Sequence, residues 1–293
     1  MRDFDGKVAV VTGAAAGMGL AYAQRCAAEG MAVVLADVQE DALSAAVLDL
    51  EQKEHRVIGV VADMSSREAV QKLADRAFDE FGGVNLLFNN AGVSSTTDAQ
   101  FGSHTIWEVS DGDWEWIMGV NFWGVLYGVQ AFVPRMIESG EEGHVVNTAS
   151  VAAITSLGGA YGAAKHGVLS ITEDLHRDLT GLGSRVSASV LFPGFVRTGI
   201  TRAERNRPDS LGGASMDETV ARQGAALLDR GKAPEEIAGH VFEAIREDRF
   251  YILPHPAWDM AVRDRAEAIL ARGSRYELDL MELIRNIPPG EKL

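Results

Sequence analysis

Residues 7–37 read KVAVVTGAAAGMGLAYAQRCAAEGMAVVLAD. The stretch opens on an apolar run, KVAVVT, with little polar alternation, which is how a strand buried on both faces of a parallel sheet reads. Gly13, Gly17 and Gly19 follow at once. They permit a tight turn and let the backbone approach a ligand closely. LAYAQRCAAEG then has helical spacing and ends at glycine, a common helix stop. MAVVLAD is a second buried strand, closed by Asp37 about twenty residues after the loop, where a dinucleotide fingerprint has its acid. In that order the parts have a physical use. The helix N-terminus offers N–H groups and a favourable dipole to a pyrophosphate, and the carboxylate accepts from ribose hydroxyls. A carboxylate there repels a 2′-phosphate, and neither the loop nor Val38 offsets it, so NAD is expected over NADP. The plainer reading of Asp37 is a strand-end turn residue.

The pattern repeats outward from this unit. Apolar runs recur at 56–62 (RVIGVVA), 84–89 (VNLLFN), 144–149 (HVVNTA), 185–192 (RVSASVLF) and 249–253 (RFYIL), with helix-like segments between them. Repeated β-α-β units predict an α/β fold, a single doubly wound (Rossmann) parallel sheet flanked by helices. No linker-like tract splits residues 1–293, so one domain is expected. Three regions break the rhythm: an insertion at 93–112, a weakly patterned stretch at 199–233 read as a substrate lid, and a C-terminal helical extension at 254–293. The first two follow strand ends, where open α/β sheets bind ligands. Removing 200–215 is expected to alter substrate range and leave cofactor affinity nearly intact.

Composition narrows the function classes. The 293 residues carry 27 Lys+Arg and 42 Asp+Glu, net −15, with 46% hydrophobic and 24% charged. That is an ordinary globular balance. The acidic excess argues against a nucleic-acid partner, which wants a basic face. One cysteine, Cys26, excludes an internal disulfide and a Cys-rich zinc site. The N-terminus reaches glycine too soon for a signal peptide, and no uninterrupted apolar stretch has the length of a membrane span. The expectation is a cytoplasmic protein with no membrane partner. Seven histidines show no metal-ligand spacing, and no metal is expected; His104, His144, His166, His176 and His255 read as surface or core residues.

The chemistry-bearing string is YGAAK. Tyr161 and Lys165 stand at i and i+4, on one face of a helix whose apolar stripe is Ala164, Val168, Ile171, Leu175 and Leu179. A free phenol titrates near 10, too high for a base at neutral pH, and an adjacent ammonium favours the phenolate. Such a tyrosine can take and give a proton. Alone, the pair could equally be a solvated helix face.

It does not stand alone. TGAAAGMG resembles the T-G-x-x-x-G-x-G of the short-chain dehydrogenases/reductases, and NNAG at 89–92 resembles their strand-four signature. Asn121 in MGVNFWG, Ser150 in NTASVAA, and Tyr161 with Lys165 match that family's Asn-Ser-Tyr-Lys tetrad. PGFVRT at 193–198 matches its P-G-x-V-x-T. The resemblance implies hydride transfer between nicotinamide and a carbinol or carbonyl carbon. Tyr161 would be the general acid/base, Lys165 would hold the nicotinamide ribose, Ser150 would bond the substrate oxygen, and Asn121 would hold a water in a relay to Lys165. Ser156 is a weaker candidate for the serine. NAD would lie along Gly13, Ala16, Gly17, Met18 and Gly19, with Asp37 at one end. Asp63 and Met64 would follow, Asp63 facing the adenine edge or capping the next helix with Ser65 and Ser66. Asn90, Ala91 and Gly92 would line the middle. Tyr161 and Lys165, then Pro193, Gly194, Val196 and Thr198, would line the carboxamide end. The partner is then a small-molecule alcohol or ketone, and the assembly a homodimer or homotetramer.

Several features depart from the family pattern. Ser150 and Tyr161 are eleven positions apart, slightly close; the 92–121 stretch is long; and RFYILPHP with a helical tail replaces the V-D-G-G run. The apolar residues Ile106, Trp107, Phe195, Ile200 and Leu211 suggest a bulky hydrophobic substrate; of the aromatics dense around the insertion, Trp107 reads equally as pocket lining or packing, while Trp114, Trp116, Phe122 and Trp123 on helices carry less weight as pocket residues. FVPRMIESG, RNRPDSLG and FYILPHP are similar to bacterial dehydrogenases that oxidise the benzylic alcohol of lignin-derived aryl ethers. Two rivals stand beside this reading. A redox-silent NAD-binding regulator or scaffold is opposed by the intact Ser/Tyr/Lys set. A non-redox epimerase or dehydratase usually carries T-G-x-x-G-x-x-G, absent here. EVSDGD is a loop and helix cap before it is a carboxylate pair, and Arg202, Arg205 and Arg207 lie in the lid, facing water or a carboxylate.

Overall fold

The computed structural model describes residues 1–94, 105–212, 218–273, 275–287 and 292. Half of the expected insertion (95–104, with His104) and lid positions 213–217 lie outside the described residues. All seven apolar runs are strands: β1 (Val8–Thr12), β2 (Ala32–Asp37), β3 (Val57–Val61), β4 (Leu86–Asn89), β5 (Gly143–Thr148), β6 (Val186–Leu191) and β7 (Tyr251–Ile252). They form one sheet in the order 3-2-1-4-5-6-7, every pairing parallel. This is the Rossmann-type arrangement, with its switch point between β1 and β4.

Strand alternation builds two cores. Ala9, Val11, Val33, Leu35 and Phe88 face α1 (Gly17–Ala28), α2 (Glu40–Glu51) and α8 (Pro234–Arg246). Val8, Val10, Val34, Leu87 and Val145 face α3 (Arg67–Phe81), α5 (Gly124–Glu138) and α6 (Gly159–Gly181). Tyr22 stacks on Phe88 with centroids 4.7 Å apart, and Cys26 is fully buried beside it in α1. The remaining helices are α4 (Asp111–Met118), α7 (Glu218–Leu228), α9 (Asp259–Leu270) and α10 (Leu280–Asn286).

Between α4 and α5 the chain makes a π turn, Gly119–Trp123, the kind of local bulge that marks functional sites in helices. The three pieces make one helix, Asp111–Glu138. Its 28 residues are long and apolar enough to cross a membrane by length and composition, which the broken apolar runs of the sequence do not suggest. It packs as a core helix: Trp116, Ile117, Val125, Phe132 and Met136 are buried against neighbouring elements. The cap reading of EVSDGD holds, since Ser110 accepts from the Asp113 N–H at 3.1 Å.

Candidate active site

The strand C-termini open onto one continuous cleft, about 1210 Å³ including its mouth. Its first wall is the glycine turn. Gly13 has φ +66°, and a Cβ on Gly19 would lie 2.0 Å from the Gly13 carbonyl oxygen, so the turn closes only with glycine there. Ala16 begins α1 with no side-chain cap, and no acid stands in the first turn. The opening N–H groups of that helix are therefore free for a ligand, with the positive end of the dipole behind them.

Asp37 ends β2 and is 9% exposed. Its carboxylate accepts from the N–H of Ala15 and of Gln39, both at 3.0 Å, so it braces the glycine turn as well as lining the cleft. Asp63 also lines the cleft; it accepts from the Ser65 N–H (2.8 Å) and hydroxyl (2.7 Å), while Ser66 caps α3. The helix-cap role therefore belongs to Ser66. Asn90 ties the ends of β1 and β4 together, donating to the Thr12 carbonyl at 2.9 Å, while the Thr12 hydroxyl accepts from the Asn90 and Ala91 N–H groups. Asn90 Oδ1 and Thr148 Oγ1 are buried without a partner, and both residues line the cleft.

At the other end stand Tyr161, in the first turn of α6, and Lys165 one turn on. Lys165 Nζ lies 5.6 Å from the Tyr161 ring centroid and donates to the Thr148 carbonyl at 2.8 Å. Lys165 is 2% exposed, and burial pulls it down from 10.5 to about 7. Its ammonium is thus dominant below neutral pH and fades above it. Asn121 is fully buried in the π turn, its amide spent on the Val93 main chain through two 2.8 Å bonds. Ser150 is 7% exposed at the end of β5; its hydroxyl donates to the Pro193 carbonyl across a long 3.4 Å and accepts from the Ala152 N–H at 3.2 Å. Ser156 accepts from the Leu278 N–H in the C-terminal extension and does not line the cleft.

Most of the expected residues line this cleft. Gly13, Ala16, Gly17, Met18, Asp37 and Asp63 do, as do Met64, Asn90, Ala91, Gly92, Tyr161 and Lys165, and so do Pro193 and Thr198. Gly19, Asn121, Ser150, Gly194 and Val196 sit behind its surface: Val196 is a 4% exposed core residue that bridges to Lys232.

Other parts of the lining differ from expectation. Trp107 is 81% exposed and off the cleft, while Trp116, a helical tryptophan given less weight, lines it. Of the other apolar loop residues, Ile200 lines the cleft, Leu211 packs in the cluster around Trp116, Ile106 is exposed, and the Phe195 ring lies against Trp258. The apolar wall is instead Val93, Trp116, Val120, Ile200, Ala203 and Pro208. Residues 199–208 reach both ends of the cleft. Arg205 lines it and donates to Gln39 Oε1 at 3.1 Å, beside Asp37. Removing 200–215 would thus disturb the Asp37 end too. Arg207 is buried in an ion pair with Asp113, over the Trp116 ring. No group of three or more candidate metal ligands occurs among the described residues.

Comparison with known proteins agrees with this architecture. The family model for short chain dehydrogenase matches residues 7–209. A solved short chain dehydrogenase/reductase from Burkholderia phymatum, in complex with NAD, is 44% identical, with TM-score 0.89 over 95% of this chain and 99% of that one. A 1-deoxy-11-beta-hydroxypentalenate dehydrogenase of Streptomyces exfoliatus is 36% identical over 90% of this chain and 88% of its own. A C alpha-dehydrogenase of Sphingobium sp. is 33% identical over 95% and 90%. With the family's signature along a seven-stranded parallel sheet and more than half of the sequence matched, this chain belongs to the short-chain dehydrogenase/reductase family.

Proposed function

We propose that this chain is an NAD(H)-dependent oxidoreductase that moves a hydride between nicotinamide and a secondary alcohol or its ketone, the substrate being bulky and apolar or aromatic. The observation that carries the reading is the continuity of the cleft from Asp37, past the uncapped start of α1, to Tyr161 and Lys165. A dinucleotide laid along it meets a carboxylate at its ribose, free N–H groups at its pyrophosphate, and a phenol and an amine at its far end. The glycine cradle and the two orphaned acceptors, Asn90 Oδ1 and Thr148 Oγ1, suit a polar ligand there. The relative solved with NAD supports the same cofactor.

Bound nicotinamide supplies the hydride acceptor or donor. The chain's residues handle the proton and the orientation. Tyr161 exchanges the proton of the substrate oxygen. Lys165, when protonated, favours the ionised phenol and can donate to a ribose hydroxyl. Ser150 turns from the Pro193 carbonyl to donate to the substrate oxygen, where negative charge grows during ketone reduction. Asn121 fixes Val93 and leaves its main chain for a water. Gly13, Ala16, Gly17, Met18 and Gly19 shape the pyrophosphate site, Asp63 and Met64 the adenine side, and Pro193, Gly194, Val196 and Thr198 the carboxamide end.

Asp37 decides for NAD over NADP. Arg205 is a cation near it that the sequence order hides, but its guanidinium is exposed and engaged with Gln39 and two carbonyls, whereas Asp37 is nearly buried and locked by two N–H groups. The wall of Val93, Trp116, Val120 and Ile200 supports an apolar substrate, and residues 199–208, which line the same cleft, support the lid reading. Exposed Trp123, at the end of the π turn, supports assembly as a homodimer or homotetramer.

The test is NADH titration with turnover of a panel of bulky aryl and alicyclic secondary alcohols. Tyr161→Phe should keep NADH affinity and lose ~10³-fold in kcat. NADH binding without turnover of any panel member, and with Tyr161→Phe unchanged, would make the protein a redox-silent binder.

A further inference from the structure

We propose that His255 is a positioning residue for the nicotinamide end of the cleft: it clamps the 193–198 loop from behind and, through the Pro193 carbonyl, sets the Ser150 hydroxyl. The inference rests on the cofactor reading above and assigns the C-terminal extension a part in it.

His255 is 1% exposed. Its Nδ1 accepts from the Gly194 N–H at 3.1 Å, and its Nε2 donates to the Phe195 carbonyl at 3.1 Å. A ring nitrogen facing an N–H must offer a lone pair, so the ring is neutral with its proton on Nε2. Pro254 and Pro256 on either side narrow the backbone that presents it. Trp258 completes the support. A Cβ on Gly194 would lie 2.6 Å from Trp258 Nε1, and the Phe195 ring centroid is 5.8 Å from the indole. The loop therefore lies against the indole with no room for a side chain at 194.

Two further contacts connect the clamp to the site. The Phe195 carbonyl also accepts from the Lys232 N–H at 3.1 Å, at the end of the 199–233 segment. The Pro193 carbonyl accepts the Val151 N–H at 3.0 Å and the Ser150 hydroxyl at 3.4 Å. Shifting the loop would move the carbonyl that now orients Ser150, together with Thr198 on the cleft wall.

Protonation would put an N–H on Nδ1 against the Gly194 N–H and open the clamp. Burial holds His255 down at about 4; Lys232 and His240 push the same way, and Glu236 and the Phe195 bond oppose them. The neutral clamp is intact above about pH 6.5 and weakens towards 4.

The experiment compares wild type, His255→Phe, which removes both bonds, and His255→Asn, which keeps an acceptor for Gly194. Hydrogen exchange on the protein without cofactor should be about ten-fold faster at residues 194–196 in the Phe variant, with the Asn variant between and β2 unchanged. The Kd for NADH should rise about ten-fold in the Phe variant and less in the Asn variant. Wild-type affinity should also fall as pH drops from 6.5 to 4, and the Phe variant should lose that component. If the Phe variant does not fold, the Asn variant carries both readouts. Unchanged protection at 194–196 overturns the clamp. Lost protection with unchanged NADH affinity overturns the positioning role. A wild type that binds no NADH sinks the cofactor reading and this role with it, whatever the exchange shows.

Discussion

Replacing Lys165 by Met should make the protein more stable at neutral pH while disabling it. The lysine is 2% exposed, and burial lowers it from 10.5 to about 7 in the folded chain. The unfolded chain keeps the ordinary value, so between pH 7 and 10.5 it binds more protons than the native state, and native stability rises with pH. At about 1.4 kcal/mol per pH unit, the buried amine costs about 4 kcal/mol at pH 7. Met removes that cost and fills similar volume, but leaves the Thr148 carbonyl without its 2.8 Å donor, an offset of about 1–2 kcal/mol. The expected net gain is about 2–3 kcal/mol at pH 7, on the order of 5 °C in Tm for a chain of this size. Well above pH 10.5 both states of the wild type hold a neutral amine. The gain should then vanish, and the variant should be equal or slightly worse. Urea unfolding at pH 7, 8.5 and 10, at one protomer concentration, measures the gap. A gap that does not shrink as pH rises, or a variant already weaker at pH 7, would refute the buried-amine argument.

Asp37→Ala should weaken NADH binding at least ten-fold, because it frees the Ala15 and Gln39 N–H groups, and should shift the NADPH/NADH kcat/KM ratio upward, since Arg205 then stands unopposed. Equal kinetics with both cofactors before and after would count against Asp37. Ser150→Ala should lower kcat ~10²-fold or more, while Ser156→Ala should leave kcat within a few-fold; the reverse order would exchange their roles. Gly19→Ala drives a Cβ to 2.0 Å from a backbone oxygen and should abolish NADH binding in calorimetry. Arg207→Met should cost about 3–5 kcal/mol in urea unfolding because it takes the guanidinium from buried Asp113, Asp113→Asn should cost less because Arg207 keeps Glu204 at 3.6 Å, and the double change should cost less than the sum.

The sheet was legible because strands buried on both faces write themselves as apolar runs, and all seven expected runs are strands. The place of Asp37 at the end of β2 and the Tyr161/Lys165 pair were legible because their spacing is local, whereas the brace from Asp37 to the Ala15 N–H, 22 positions earlier, was not. Contacts between distant segments were not. Trp116 reaches the cleft only because the π turn and α6 orient α4, and Trp107, equally aromatic, ends up in solvent. Arg205 meets Gln39 across 166 positions, and no pattern in either segment announces it. His255 lies between two prolines in a stretch that reads as a strand exit. Only β7 pairing beside β6 brings it against Gly194, 61 positions earlier.

Three of the costly buried groups share a location. Lys165 lines the cleft, Arg207 with Asp113 fixes the 200–208 segment over Trp116, and neutral His255 backs the 193–198 loop. Arg207 retains Nε and Nη2 without partners, a cost that an apolar side chain would avoid. His144 is the counterexample. It is buried and pushed down to about 3, but it stands at the start of β5, where it bonds Ser189 of β6, and lines no part of the cleft. Burial of a titratable group is therefore not in itself a mark of the site. What separates the three is that each holds, or is held by, main chain or lid at the strand C-termini. Natural sequences accept local violations where function needs them. An apolar replacement at each position should therefore fail differently: Lys165 in proton handling with stability gained, Arg207 in the hold of the 200–208 segment with stability lost, His255 in cofactor affinity. A shared failure mode across all three would mean that the groups serve packing alone.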